Sequence, residues 1–224
     1  MREMTKISAD RITPLPLGKG AFSTIFALNG QQAQGDIRRF KDAVLDGTHD
    51  GRANLRAAVL DHDERYAHVT LDSIVDPTRL DLAHESIFAE GLPTYHHVLS
   101  EIAQQIAPFD VTFNTVRVNR DSVIILADNP PEEVADIRAT FRNRVKDLAS
   151  DTVDNARRRV GTDIVHYTVL RNQKSIPMRT VRDAVEPHGI HFVQRIDSIL
   201  LVRSTNPALE PYTVVHNFPL RGTH

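Results

Sequence analysis

The chain has 224 residues, 41% of them apolar and 25% charged, which suits one large domain or two small lobes with a substantial core. Its net charge of −2 and pI near 6.6 leave out the basic footprint that long nucleic acids require, while a small anion in a local pocket stays possible. The absence of cysteine excludes disulfides, thiolate nucleophiles and cysteine-ligated zinc.

The N-terminal residues 1–20 carry Pro14, Pro16, Gly18 and Gly20 and are expected to wrap the surface. No signal-peptide core stands there, and no run approaches the roughly 20 apolar residues of a membrane span. The expectation is a cytoplasmic protein with no membrane partner. The stretch LGKGAFSTIFAL, 17–28, is similar to the glycine-rich loop of kinases, but the lysine strand, catalytic loop and metal site that such a loop needs are missing. It is read as a turn entering a first strand, 23–28.

Residues 33–46 place Ile37, Phe40, Val44 and Leu45 at helical spacing. Residues 65–75 read as a strand stopped by Asp76-Pro77, and 78–92 as loop or weak helix. A helix is predicted over 94–107, after Pro93, with Val98, Ile102 and Ile106 on one stripe. Strands follow at 109–118 and 122–128, joined by a tight turn at 119–121. Pro130 and Pro131 open a helix with Glu132 and Glu133 in its first turn, where the helix dipole favours acids. It is expected to run to about residue 149. A polar stretch (150–162), a strand (163–171), a short helix (177–185), a pair of strands (191–196 and 198–204) and a last strand (212–220) complete an α+β chain with mostly antiparallel sheets.

Two of these strands share a pattern. YAHVTLDS, 66–73, and IVHYTVLR, 164–171, both read as apolar, His, any residue, Thr, apolar. They lie 98 residues apart, about one in each half. Residues i and i+2 of a strand project to the same face, so His68 pairs with Thr70, and His166 with Thr168. Tyr66, two before His68, would share that face and could stack on a base. Arg171, five after His166, falls on the opposite face of an unbroken strand, and a bend would be needed to return it.

This pair of motifs resembles the two-histidine phosphoesterase superfamily, which includes bacterial RNA 2′,3′-cyclic phosphodiesterases and 2′-5′ RNA ligase-like proteins. Arg171 also matches an arginine common after that family's second motif. The first motif continues with Asp72-Ser73 in place of the aromatic-glycine continuation of many members, and the segment before it is longer than usual. The resemblance covers nearly the whole chain. It implies a bilobal α+β fold, two antiparallel-rich sheets with outer helices related by a pseudo-twofold, and an active cleft between the lobes. The chain would form one such domain, acting as a monomer without cofactor or metal on a small nucleotide, short oligonucleotide or RNA end.

The chemistry suits these residues. Opening a cyclic phosphate needs one group to take a proton from water and another to give one to the leaving sugar oxygen. Two imidazoles can do both near neutral pH. The threonine hydroxyls can hold the phosphate oxygens. The implied catalytic residues are His68 and His166, and the implied substrate-binding residues are Thr70, Thr168, Tyr66 and Arg171. The other histidines read as structural. His216 has no hydroxyl two residues on, His96 and His97 would diverge on a regular element, and His188 and His191 flank a turn. Asp61-His62-Asp63 is similar to a metal-phosphohydrolase dyad but lacks the further spaced ligands. A nucleotide-binding module that turns nothing over, and a metal hydrolase using His62, remain as alternatives of other classes.

Overall fold

The structure is a computed structural model and describes residues 19–46, 55, 59–75, 81, 83–145, 164–172, 177–206 and 208–223. The predicted N-terminal wrap up to residue 18, the polar stretch 150–162 and the loop at 47–54 lie outside the described residues.

Ten strands and four α-helices are described in three antiparallel sheets. The first sheet has the order β10-β9-β1-β3, built from β1 (Ala21–Ala27), β3 (His68–Val75), β9 (Ser198–Ser204) and β10 (Thr213–Pro219). The second has the order β2-β7-β6-β5, with β2 (Val59–Asp61), β5 (Thr115–Val118), β6 (Ser122–Leu126) and β7 (His166–Asn172). A two-stranded ladder of β4 (Phe109–Phe113) and β8 (Phe192–Ile196) stands apart from both. Asn114 alone joins β4 to β5, and Asp197 alone joins β8 to β9. The ladder therefore carries two of the chain's passages between the large sheets; the others run from β1 to β2 and from β2 to β3.

This corrects the expectation that 191–196 and 198–204 pair with each other. One linking residue is too short to reverse the chain, because the tightest common hairpin needs two. Each strand instead continues forward, β8 onto β4 and β9 between β1 and β10.

Helix α1 (Gln31–Asp46) buries Ile37, Phe40, Val44 and Leu45, the predicted stripe. Helix α2 (His84–Gln105) starts ten residues before its predicted beginning and runs through Pro93. Proline removes one helical hydrogen bond, but the turns on both sides are anchored by buried groups: Ile87, Phe88 and Gly91 before it, Tyr95 and Val98 after it. Burying each large apolar side chain stabilises by about 1.5–3 kcal/mol, enough to outweigh one missing bond. Gly91 is required there, since a Cβ would lie 2.3 Å from the Tyr95 ring. Helix α3 (Glu132–Val145) begins directly after the two prolines, and α4 (Met178–Val185) is the predicted short helix.

Helices α2 and α3 pack on the first sheet, α2 against β3, β9 and β10 and α3 against β3. Helix α4 packs against β5 of the second sheet, and α1 packs against α4 and β8. One apolar cluster fills the space behind both sheets, with Phe22, Phe26, Val69 and Val75 from the first and Val123, Ile125, Tyr167 and Leu170 from the second. A smaller cluster of Ala21, Ile25, Leu200, Val202 and Leu209 covers the opposite face of the first sheet.

Candidate active site

His68 opens β3 and His166 opens β7. Both strands alternate as predicted. Val69 and Leu71 are buried while His68 and Thr70 are half-buried, and Val165 and Tyr167 are buried while His166 and Thr168 are half-buried. The apolar positions fix which face of each strand turns inward, and this leaves each His and Thr on the face away from the main core.

The two motifs match in finer detail. On β3, Thr70 pairs with Ile25 but Asp72 pairs with Thr24, so Leu71 is an extra residue, a β-bulge. On β7, Thr168 pairs with Ile124 but Leu170 pairs with Val123, so Val169 is extra. Each of these two bulges falls directly after the threonine; β3 has a second extra residue at Ile74. Cross-strand partners share a face, and β6 presents Leu126, Ile124 and Ser122 on alternate positions to His166, Thr168 and Arg171. The bulge thus returns Arg171 to the face of His166 and Thr168, as no unbroken strand would. By the same count Ser73, paired with Ser23, joins His68 and Thr70. The sequence contained the residues but carried no signal for the bulges.

The imidazoles are also held alike. Nδ1 of His68 lies 2.8 Å from the carbonyl of Tyr66, and Nδ1 of His166 lies 3.4 Å from the carbonyl of Ile164, in both cases two residues back. A carbonyl can only accept, so Nδ1 carries the proton and the neutral ring keeps its lone pair on Nε2. Both rings therefore offer the same nitrogen to a ligand.

Their surroundings differ. Burial pushes His68 down to about 4, with charge on His62 and on His166 acting the same way and the Tyr66 carbonyl and Glu210 opposing. His166 is also lowered by burial, with the Arg138 and Arg171 guanidiniums adding to it. Charge on His166 is the smallest of these influences on His68, and strands β3 and β7, which carry the two rings, pack against each other.

Tyr66 stands in a 3₁₀ turn, Glu64–Tyr66, and not in the strand, which corrects its predicted place. Asp63 caps that turn by accepting from the Arg65 backbone N–H at 3.0 Å, so the chain coils before it extends. Tyr66 nevertheless reaches the site through Tyr212. The Tyr212 ring lies 5.5 Å from Tyr66 and 5.8 Å from His68, edge to face in both contacts. Burial, with Tyr66 beside it, raises the Tyr212 hydroxyl to about 12, so it is a neutral donor at working pH. Tyr212 was missed in the sequence because it sits 144 positions from His68, just before the last strand.

His62 is buried and its Nδ1 pairs with Glu210, whose other oxygen accepts from the Asp63 backbone N–H. Nearby, buried Lys41 reaches Asp61 at 2.7 Å and Glu64 at 2.9 Å. Its own burial favours the neutral amine, but the two carboxylates outweigh this and raise its proton affinity. The Glu210 contacts tie the loop that carries Glu210 and Tyr212 to the segment just before His68, and Lys41 ties that segment to α1. His216 packs with His96 and Phe218, and His97 lies 3.5 Å from Glu101. His188 and His191 line a pocket of about 280 Å³ between α1 and the loop before β8, which shares no residue with the histidine pair. Among the described residues no group of three or more His, Asp or Glu is placed to hold a metal ion, and no helix is long and apolar enough to cross a membrane.

Residues 31–207 match the 2′-5′ RNA ligase superfamily. The chain belongs to that family. Its fold is similar to that of TT0787 of Thermus thermophilus, with a TM-score of 0.64 and 18% identity over 91% of this chain and 100% of that one. A crystal structure of a phosphoesterase gives 0.59 and 13% over 89% and 98%. E. coli LigT complexed with 3′-AMP gives 0.58 and 12% over 89% and 97%. At these identities the likeness is one of fold. Sequence comparison with curated proteins found no match. The expected family and α+β architecture thus hold for this chain as a two-histidine phosphoesterase-type protein.

Proposed function

We propose that this protein is a metal-independent phosphodiesterase that hydrolyses 2′,3′-cyclic phosphates on nucleotides or RNA ends, with His68 and His166 as its catalytic pair. The carrying observation is the equivalence of the two half-sites. Each has a strand-borne imidazole with Nδ1 on the carbonyl two residues back, a threonine on the same face, and a bulge directly after it.

The surroundings of the two rings support one division of roles. Of two imidazoles at one pH, the less basic is the better fitted to stay neutral and accept a proton. His68, the more strongly depressed, is the neutral base, and His166 is the acid. His68 Nε2 takes a proton from water as the water oxygen attacks phosphorus. The bond from phosphorus to one ribose oxygen breaks, and His166 Nε2 protonates that oxygen. Water and the cyclic diester are consumed, and a monoester with a free hydroxyl is formed. The Thr70 and Thr168 hydroxyls donate to the non-bridging oxygens, and Arg171 neutralises the charge that builds there. Tyr66 and Tyr212 form an aromatic wall beside His68 on which a base can rest without sequence preference.

Two other readings have support of their own. The family's description favours a 2′-5′ linkage, or a cyclic oligonucleotide, as the diester. E. coli LigT has been crystallised with NADP+, 3′-AMP and ATP, which favours nucleotide binding and admits a module that binds without turnover. Assaying 2′,3′-cyclic nucleotides and 2′-5′-linked dinucleotides in excess EDTA, with His166→Ala alongside, separates them. Turnover that survives EDTA and disappears in the variant is expected. Loss of turnover in EDTA would overturn the metal-independent mechanism, and stabilisation by nucleotides without any product would favour the binding module.

A further inference from the structure

Arg138 is 5% exposed, on the inner side of α3. Its Nε donates to the Leu71 carbonyl at 3.2 Å. One terminal nitrogen donates to the Thr70 carbonyl at 3.0 Å and to the Ile164 carbonyl at 3.3 Å. These three acceptors are not arbitrary. Thr70 is the hydroxyl residue of the first motif, and Leu71 is the bulged residue after it. The Ile164 carbonyl is the one that faces Nδ1 of His166.

We propose that Arg138 is a positioning residue that locks the two half-sites to each other, gripping the first motif at its bulge and the second at the carbonyl that orients His166. This rests on the proposed reaction and adds a residue to it that does not itself touch substrate.

The physical reasons are three. Among the described residues β3 is the outermost strand of its sheet, so one edge of it has no strand to pair with and its carbonyls need donors from elsewhere. The bulge at Leu71 disturbs the local ladder, and a second hold there keeps Thr70 at a fixed height. Guanidinium supplies five donors in a rigid planar fork, which can take several carbonyls from different strands at once, as an ammonium on a flexible stem cannot. Acid–base catalysis across one phosphate depends on the spacing of the two half-sites, and a shift of about 1 Å can lower the rate on the order of 10²-fold. A buried cation beside His166 also disfavours the imidazolium, in keeping with the lowered proton affinity of that ring.

Two variants separate position from charge. Arg138→Lys keeps a cation and loses the fork, and Arg138→Gln loses both. Expected for Arg138→Lys is a kcat lowered on the order of 10–10²-fold on a 2′,3′-cyclic nucleotide, with KM changed less and the His166 titration, followed by NMR of the ring, left in place. Expected for Arg138→Gln is the same loss of kcat with the His166 titration moved to higher pH. The ring titration needs no turnover, so it tests whether the Arg138 charge stands beside His166, as the clamp requires, even if the proposed substrate is wrong. A folded Arg138→Gln protein with an unmoved His166 titration overturns the proposal, as does a folded Arg138→Lys protein with kcat within about twofold of the parent on a substrate the parent turns over. Should Arg138→Gln fail to fold, Arg138→Lys, which preserves the buried charge, decides.

Discussion

The two half-sites are alike in backbone and unlike in surroundings. In both, a histidine opens a strand, leans its Nδ1 on the carbonyl two residues back, and is followed by a threonine and a bulge. Yet among the described residues β3 is an edge strand and β7 an interior one. His68 is walled by Tyr212 and backed by the buried His62–Glu210 pair, whereas His166 stands near Arg138 and Arg171. The residue three beyond the threonine is Ser73 in one half and Arg171 in the other. The lesson is that symmetry of the strand can supply two equivalent proton carriers, while asymmetry of burial and charge sets their proton affinities apart, which under the proposed mechanism divides base from acid. Two identical environments would give two groups of equal affinity, a poor arrangement for taking and giving a proton at the same pH.

The largest effect expected is from removing either imidazole. His68→Ala and His166→Ala should each lower kcat by about 10²–10⁴-fold or more with the fold intact, checked by steady-state rates and circular dichroism. Near-full activity in either would end the paired assignment. Thr70→Ala and Thr168→Ala should lower it less, on the order of 10–10³-fold, through loss of one donor to the charge that develops.

A subtler test of the comparison is pH. His68 must be neutral and His166 protonated, so kcat/KM should follow a bell lying on the acid side of neutrality. Its acid limb should fall near 4, set by His68, and its alkaline limb below the ordinary 6.5 of histidine, set by His166. Arg171 holds His166 down, so Arg171→Gln should move the alkaline limb to higher pH and leave the acid limb. Movement of the acid limb instead would reverse the two roles.

The smallest effect is on stability. His68 has a lower proton affinity folded than unfolded. Its contribution is therefore fully present above the unfolded value near 6.5 and is lost as pH falls through about 4. Thermal melts across that window should show a decline that is shallower in His68→Gln. An equal slope in both would show that other groups govern it.

Much of this molecule is legible from local pattern. Period-two alternation at His68–Leu71 and His166–Val169 fixes the strands and the shared face of each His and Thr, because one side of each strand must be buried. The stripe Ile37, Phe40, Val44 and Leu45 likewise predicts α1. The absence of cysteine and the lack of a basic excess narrow the chemistry from composition alone. Other features depend on partners distant in the chain. The passage of α2 through Pro93 is set by packing around Tyr95, and the placement of Arg171 by a bulge that only the β6 register reveals. The apposition of Tyr212 to His68 and the Arg138 bridge join segments that sequence distance keeps apart. Sequence determined which residues could carry and donate protons. The tertiary structure decided which ones share a face and which charges and rings surround each imidazole, since desolvation and neighbouring charge exist only once the chain has folded.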